Sequence, residues 1–115
     1  LGGLLGKEKR ARTLSDYGKA GFRETARVTE SIPAEKRPRV YYAEGATGLF
    51  TECSTSFHGE LIRLAGAKNV HTCRDGRFKV RGMEAVTLEQ VMRYDPDVIV
   101  AMDRTFYANV FKDER

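Results

Sequence analysis

Apolar and polar positions along this chain fall into blocks that predict helices and strands in turn. From Ala11 to Ile32, apolar or small residues recur at steps of three and four, which is one face of a long helix over residues 5 to about 31. We expect this face to be covered by packing, because isolated helices of this length are marginally stable. Pro33 follows Ile32 and predicts the end of that helix. Gly18 and Gly21 each cost about 1 kcal/mol against alanine inside a helix, and they indicate either close packing or a kink.

A strand and a turn are predicted next. Residues 39–44 are rich in β-favouring side chains and predict the first strand. The glycines of residues 45–48 predict a turn after it. Residues 49–55 show no clear period, so we interpret them as an irregular loop. This predicted loop is expected to lie at the carboxyl end of the strand.

The middle of the chain predicts a second helix. Residues 57–65 have apolar positions at helical spacing, with Thr55 or Ser56 as the candidate N-cap. Gly66 comes directly after this segment and predicts its end. Residues 69–71 are a candidate for a short strand, and the polar residues that follow predict a further loop.

The segment from Val86 to Met102 carries the strongest local signals. Thr87 and Gln90, three residues apart, predict a capping box at the start of a helix over residues 88–94. Asp95 precedes proline, so the helix is expected to end there. Residues 98–102 are apolar without alternation, which is typical of a strand covered on both faces. A last helix is expected to start near Thr105.

Strands that alternate with helices predict an α/β fold with a parallel sheet and right-handed crossovers. Residues 39–44 and 97–102 are expected to be adjacent parallel strands in this sheet. The expected architecture is a long N-terminal helix followed by a small parallel β-α-β sheet lobe, Rossmann-like and incomplete. Only three strands are predicted, so a further strand is expected to be missing or supplied by another chain.

Composition narrows the class of protein. The chain has 115 residues, which allows at most one ordinary domain, and no stretch approaches the roughly 20 apolar residues of a membrane span. It starts without Met and without a signal-peptide pattern, so we expect a piece of a longer protein. The net charge is +4, but the basic residues are dispersed. We therefore interpret these basic residues as solvent-exposed surface and not as an anion-binding site, and no nucleic-acid partner is predicted.

The two cysteines do not identify a site by themselves. The spacing of Cys53 and Cys73 fits no zinc motif, and nothing local brings them together. In an exported protein they could form a disulfide, but two unpaired thiols are the expected state.

Candidate chemistry is expected at the carboxyl ends of the strands, where open parallel sheets bind ligands. Glu44 and Gly45 end the first strand, and the loops over residues 46–56 and 74–85 lie near the same edge. Cys53 with His58 could act as a thiolate and base, but no orienting third group is evident, and no catalytic residue is predicted. His58, Cys53, Glu44 and His71 follow no metal-ligand spacing, so no metal site or cofactor is predicted. Other side chains in or next to these loops are Phe50, Thr51, Ser54, Phe57, Arg81 and Met83.

Four motifs in order resemble one family. They are LGKEKRARTLSDY from Leu5, RPRVYYAEG from Arg37, SFHGELIRLAGAKNV from Ser56 and VTLEQVMRYDPDVIV from Val86. Each is similar to a segment of the periplasmic binding proteins of iron-chelate, haem and cobalamin-type ABC importers, whose two lobes are joined by a long helix. The resemblance implies that residues 1–33 are the interlobe linking helix and residues 34–115 a partial C-terminal lobe.

The same resemblance implies a function and its residues. The chain would bind an iron chelate (siderophore or haem) or a related metal-containing ligand between the lobes and deliver it to ABC permease subunits. Ligand-binding positions would be Glu44, Gly45, Phe50 and Met83, and Glu89 would dock on the permease. Met83 stands where a flat aromatic wall would suit cobalamin, so that ligand is disfavoured.

The resemblance also implies a cellular location, and one alternative function stays open. The protein would be periplasmic, or lipid-anchored on the outer face of the cell membrane, and would not be an enzyme. A chelatase-like or other α/β enzyme domain is the alternative, because it shares the alternation of strands and helices.

Self-association is expected from an exposed sheet edge.

Overall fold

Helices and strands alternate along the chain, which confirms the predicted α/β class. The computed structural model describes residues 1–73 and 83–112, so the predicted loop at Arg81 lies outside the described residues. The elements in chain order are α1 (Glu8–Thr29), a short 3-10 helix (Ala34–Lys36), β1 (Arg39–Ala43), β2 (Phe50–Glu52), α2 (Phe57–Leu64), β3 (Lys68–Asn69), β4 (Met83–Ala85), α3 (Leu88–Tyr94), β5 (Val98–Ala101) and α4 (Arg104–Val110).

A parallel sheet with the strand order β3-β1-β5 forms the centre of the fold. Val40 pairs with Val98 and Ala43 with Ala101, so the predicted first and last strands are adjacent and parallel. Side chains of β1 are buried on both faces of this sheet. Tyr42 packs with Val40 and Ile62 on one face, whereas Tyr41, Ala43 and Val86 form a second cluster.

A second, antiparallel sheet joins β2 to β4, and here the prediction of an irregular loop was wrong. Phe50 pairs with Ala85 and Glu52 with Met83. An isolated bridge between Glu44 and Phe50 connects this sheet to the end of β1. The strand escaped prediction because a three-residue segment has no measurable period, and its partner lies more than thirty positions away along the chain.

The helix caps follow the local sequence. Ser56 accepts a hydrogen bond from the Gly59 amide and is the N-cap of α2, which decides between the two predicted candidates. Gly66 adopts a positive φ of 80° after the helix, as a C-terminal glycine does. At α3, Thr87 and Gln90 form the predicted capping box.

Strand β5 is not covered on both faces, contrary to the prediction. Val98, Ile99 and Val100 are 45, 50 and 39% exposed. Within the described part of the chain β5 is an edge strand, and no element there packs over it fully. The apolar side chains of β5 are therefore suited to burial, but the described part of the chain does not cover them fully. The expected self-association, which rests on this exposed edge, stays a prediction.

Helix α1 also differs from expectation, because its apolar face is not covered. None of its residues is buried, and Leu14 and Phe22 are mostly exposed. Contact with the lobe is at its C-terminal end, where the Thr29 hydroxyl donates to the Leu64 carbonyl oxygen at 3.4 Å. The helix projects from the lobe as a rod about 33 Å long. No described helix combines the length and apolar character needed to cross a membrane.

Candidate ligand-binding face

The antiparallel pairing gathers several predicted ligand-binding side chains on one face. Directly opposed residues in an antiparallel pair share a face, so Glu44 lies beside Phe50 and Glu52 beside Met83. Phe50 and Met83 are 41 and 57% exposed. We call Glu44, Phe50, Glu52, His58 and Met83 the candidate face. It lies at the carboxyl end of β1, where the sequence placed the chemistry.

Gly45 shapes this face through its backbone. Its φ of 72° lies in the left-handed region, which favours glycine. A side chain there would bring a Cβ within 3.2 Å of the Phe50 ring. Gly45 therefore lets the chain turn directly after Glu44 while Phe50 stays against the turn.

Glu44, Glu52 and His58 form a close cluster within the candidate face. One ligand atom from each residue lies within 4.8 Å of the other two. Glu52 is only 4% exposed, and its Oε1 lies 3.4 Å from Nδ1 of His58. The His58 ring stacks on Tyr42 with ring centroids 5.3 Å apart. Glu44 and His58 were considered together from the sequence, but Glu52 was missed because the spacing of the three residues follows no motif.

Burial and neighbouring acidic groups act on the titratable side chains of this cluster. Burial raises the pKa of Glu44, the neighbouring Glu52 raises it further, and His58 opposes the shift. Burial raises the pKa of the Tyr42 hydroxyl as well, with added contributions from Glu44 and Glu52. The Oε2 atom of Glu44 is buried and finds no hydrogen-bond partner among residues 1–73 and 83–112. A positively charged group would therefore be favoured here.

Cys53 and Cys73 form a disulfide, so the expectation of two unpaired thiols was wrong. Two hydrogen bonds bring their loops together: the Asn69 side chain donates to the Glu52 carbonyl oxygen at 2.9 Å, and the Ser54 amide donates to the His71 carbonyl oxygen at 3.0 Å. A disulfide sulfur is no thiolate nucleophile, so the considered pair of Cys53 and His58 has no chemistry in this form.

His71 belongs to a separate buried network. It is only 7% exposed, so its side chain lies inside the fold. Its Nδ1 lies 2.9 Å from the Tyr94 hydroxyl and its Nε2 3.1 Å from Glu84. These contacts tie the loop after β3 to α3 and β4, which indicates a structural role.

Solved structures show which proteins this chain is similar to. No protein-family model and no curated protein sequence matches the chain. An ABC transporter solute-binding protein from Sulfurospirillum deleyianum is 42% identical over 98% of this chain, with a TM-score of 0.90. The chain is similar to one part of that solute-binding protein. The resemblance predicted from the four motifs is thereby confirmed.

Two further solute-binding proteins share the fold. The molybdate periplasmic binding protein MolA of Haemophilus influenzae is 25% identical over 95% of this chain, with a TM-score of 0.76. A possible iron-binding periplasmic protein of Staphylococcus epidermidis is 21% identical over 99% of the chain, with a TM-score of 0.72, and this likeness shows the fold alone. The chain spans about a third of the first two relatives, covering 34 and 32% of their lengths.

Glu89, the predicted docking residue, lies on α3, which carries none of the residues of the candidate face. It is exposed in the first turn of α3. A hydrogen bond from its own backbone amide, and a second from the Thr87 side chain, lower the pKa of its carboxyl group. Glu89 is therefore a carboxylate held on a capped helix end.

Proposed function

We propose that this chain contributes the interlobe helix and one wall of the ligand cleft to a solute-binding protein of an ABC importer. Residues 1–33 would form the helix and residues 34–115 part of the C-terminal lobe. The observation that carries the proposal is the 42% identity over 98% of the chain to such a protein. The exposed α1 supports it, because a helix that spans two lobes has little of its surface covered by one of them.

The ligand proposed for this wall is an iron chelate or a related metal-containing molecule. MolA is described as binding molybdate, an anion. The sheltered carboxylates of Glu44 and Glu52 would repel an anion and favour a ligand that carries positive charge. Phe50 and Met83 add exposed apolar surface for an organic chelator.

We also infer a binding role and not a catalytic one, in an oxidising compartment. Cys53, the thiolate of the considered pair with His58, is held in the disulfide. Disulfides persist in the periplasm and at cell surfaces, which supports a periplasmic or surface-anchored location.

Titration calorimetry of the 115-residue chain with a ferric hydroxamate, haem and molybdate tests the ligand class. We expect weak binding of the iron-bearing ligands, with a Kd above about 10 µM, because one wall buries only part of a small ligand. Glu44→Gln should weaken it further, whereas Glu35→Gln, the same change at an exposed site outside the face, should not.

Two outcomes would contradict this proposal in different ways. Binding of molybdate without binding of either iron ligand would reverse the ligand class. A Kd well below about 10 µM for the isolated chain would show that this wall binds the ligand tightly by itself and that a second lobe adds little affinity.

Glu89 is proposed to dock on the permease by pairing with an arginine fork. In cells that rely on the intact solute-binding protein, Glu89→Lys should reduce uptake of its ligand more than Glu89→Ala, because the new charge adds repulsion. Folding and ligand affinity should stay unchanged, since the side chain is exposed and lies on a helix that carries none of the residues of the candidate face.

Glu35→Lys provides the matched control for docking, because it makes the same charge change at an exposed site on the short 3-10 helix. Uptake at the wild-type rate by the Glu89→Lys variant would refute the docking role. Glu89 would then be a helix-terminal residue that acts only on its own helix dipole.

A further inference from the structure

We propose that Glu44, Glu52 and His58 form a binding site for a free divalent transition-metal ion, with Zn²⁺ and Mn²⁺ as the test cases. Three different parts of the chain supply the ligands: the end of β1, strand β2 and the first turn of α2. This inference goes beyond the proposed function, because it concerns direct coordination of an ion by protein side chains and not capture of a chelate.

The distances within the cluster suit an ion after a small adjustment. Metal bonds to histidine nitrogen and carboxylate oxygen are about 2.0–2.2 Å long, so donor atoms around one ion lie roughly 3–3.5 Å apart. The Glu52 Oε1 and His58 Nδ1 atoms already stand 3.4 Å apart. All three ligand atoms lie within 4.8 Å, so Glu44 needs to approach by no more than about 1.5 Å.

The surroundings hold the ligands in place. Glu52 is almost fully buried on a strand paired with β4, and it directly precedes a disulfide-bonded cysteine. His58 is held by its stack on Tyr42. Supporting contacts of this kind orient metal ligands and raise affinity.

A buried oxygen points independently to an absent partner. The Oε2 atom of Glu44 is shielded from solvent and accepts no hydrogen bond from any described residue. Leaving such a group unsatisfied costs free energy, and a cation between the two carboxylates would remove that cost.

The ligand types select the kind of ion. A histidine nitrogen favours first-row transition metals, whereas Ca²⁺ and Mg²⁺ prefer oxygen ligands alone. Three protein ligands leave at least one coordination position open, as in sites that bind water or an exogenous group. The site would therefore be open to exchange at the candidate face.

Calorimetric titration of the full 115-residue chain with ZnCl₂ and MnCl₂ tests the inference. Wild type should bind one ion saturably. Glu44→Gln and His58→Phe should each weaken binding at least tenfold, and the double variant should show no saturable binding. His58→Phe keeps an aromatic ring that can stack on Tyr42 but removes the nitrogen that would bind the metal ion. Glu60→Gln, an equal charge change on the same helix, should stay within twofold of wild type.

Circular dichroism establishes that each variant is folded before titration, and the two substituted side chains are only partly buried, so both variants are expected to fold. A nuclear magnetic resonance titration with Zn²⁺ gives a second readout: the imidazole signals of His58 should shift. Absence of saturable binding by wild type, unchanged affinity in both single variants, or a shift confined to His71 would overturn the site. Failure to bind iron chelates would leave this result untouched, so the two proposals are tested separately.

Discussion

Replacing Gly59 by alanine is expected to lower the free energy of unfolding by about 3 kcal/mol, the upper end of the range for overpacked cores. A Cβ at this position would lie 2.3 Å from the Cys53 carbonyl oxygen and 2.9 Å from the Ser54 carbonyl carbon. Both neighbours are backbone atoms, held by the disulfide and by the hydrogen bond from the Ser54 amide to His71. Urea denaturation followed by circular dichroism measures the effect.

The same substitution in α1 gives a matched control with the opposite expectation. A Cβ on Gly18 or Gly21 would meet no described atom within 4 Å, so the close packing considered from the sequence is not found in the described part of the chain. Alanine at either position should raise the helix content, since glycine costs about 1 kcal/mol inside a helix. A Gly59→Ala variant as stable as wild type would show that α2 does not sit against the segment at Cys53.

Loss of the disulfide is expected to lower the free energy of unfolding by about 3 kcal/mol. Cys53 and Cys73 are 20 positions apart, and the cross-link stabilises mainly by restricting the unfolded chain over a loop of that length. Urea denaturation with and without a reductant should show this difference in wild type. A variant with both Cys53→Ser and Cys73→Ser should be less stable and should not respond to reductant.

A thiol assay supplies the decisive observation for the disulfide. Two thiols that react with an alkylating agent in native, non-reduced protein, together with equal stability in both conditions, would show that the cysteines are unpaired. That result would restore the expectation from the sequence and free Cys53 for other chemistry.

Local chemistry explains which elements could be predicted. The capping box of Thr87 and Gln90 joins residues that are close along the chain, so a short segment is enough to predict it. The same holds for Ser56 at the start of α2 and Gly66 after its end. The adjacent parallel strands β1 and β5 were also predicted correctly, because apolar and β-branched runs separated by helices have few possible arrangements.

Burial was the less predictable property. The apolar run of β5 and the apolar face of α1 were expected to be covered, and both are exposed in the described chain. An apolar pattern states that a surface is suited to burial, but it does not state which element covers it. The match to about a third of the Sulfurospirillum protein shows that its relatives contain much more chain than this one.

The sequence by itself determined the α/β alternation, the helix ends, the family resemblance and the strand end at Glu44, because each depends on residues close together or on motifs read in order. Only the tertiary structure decided the disulfide, the β2–β4 pairing and the meeting of Glu44, Glu52 and His58. These contacts join distant positions, and their geometry depends on how the loops are pinned by hydrogen bonds such as Asn69 to Glu52. A side chain's chemistry is local, but its neighbours are set by the packing of the whole chain.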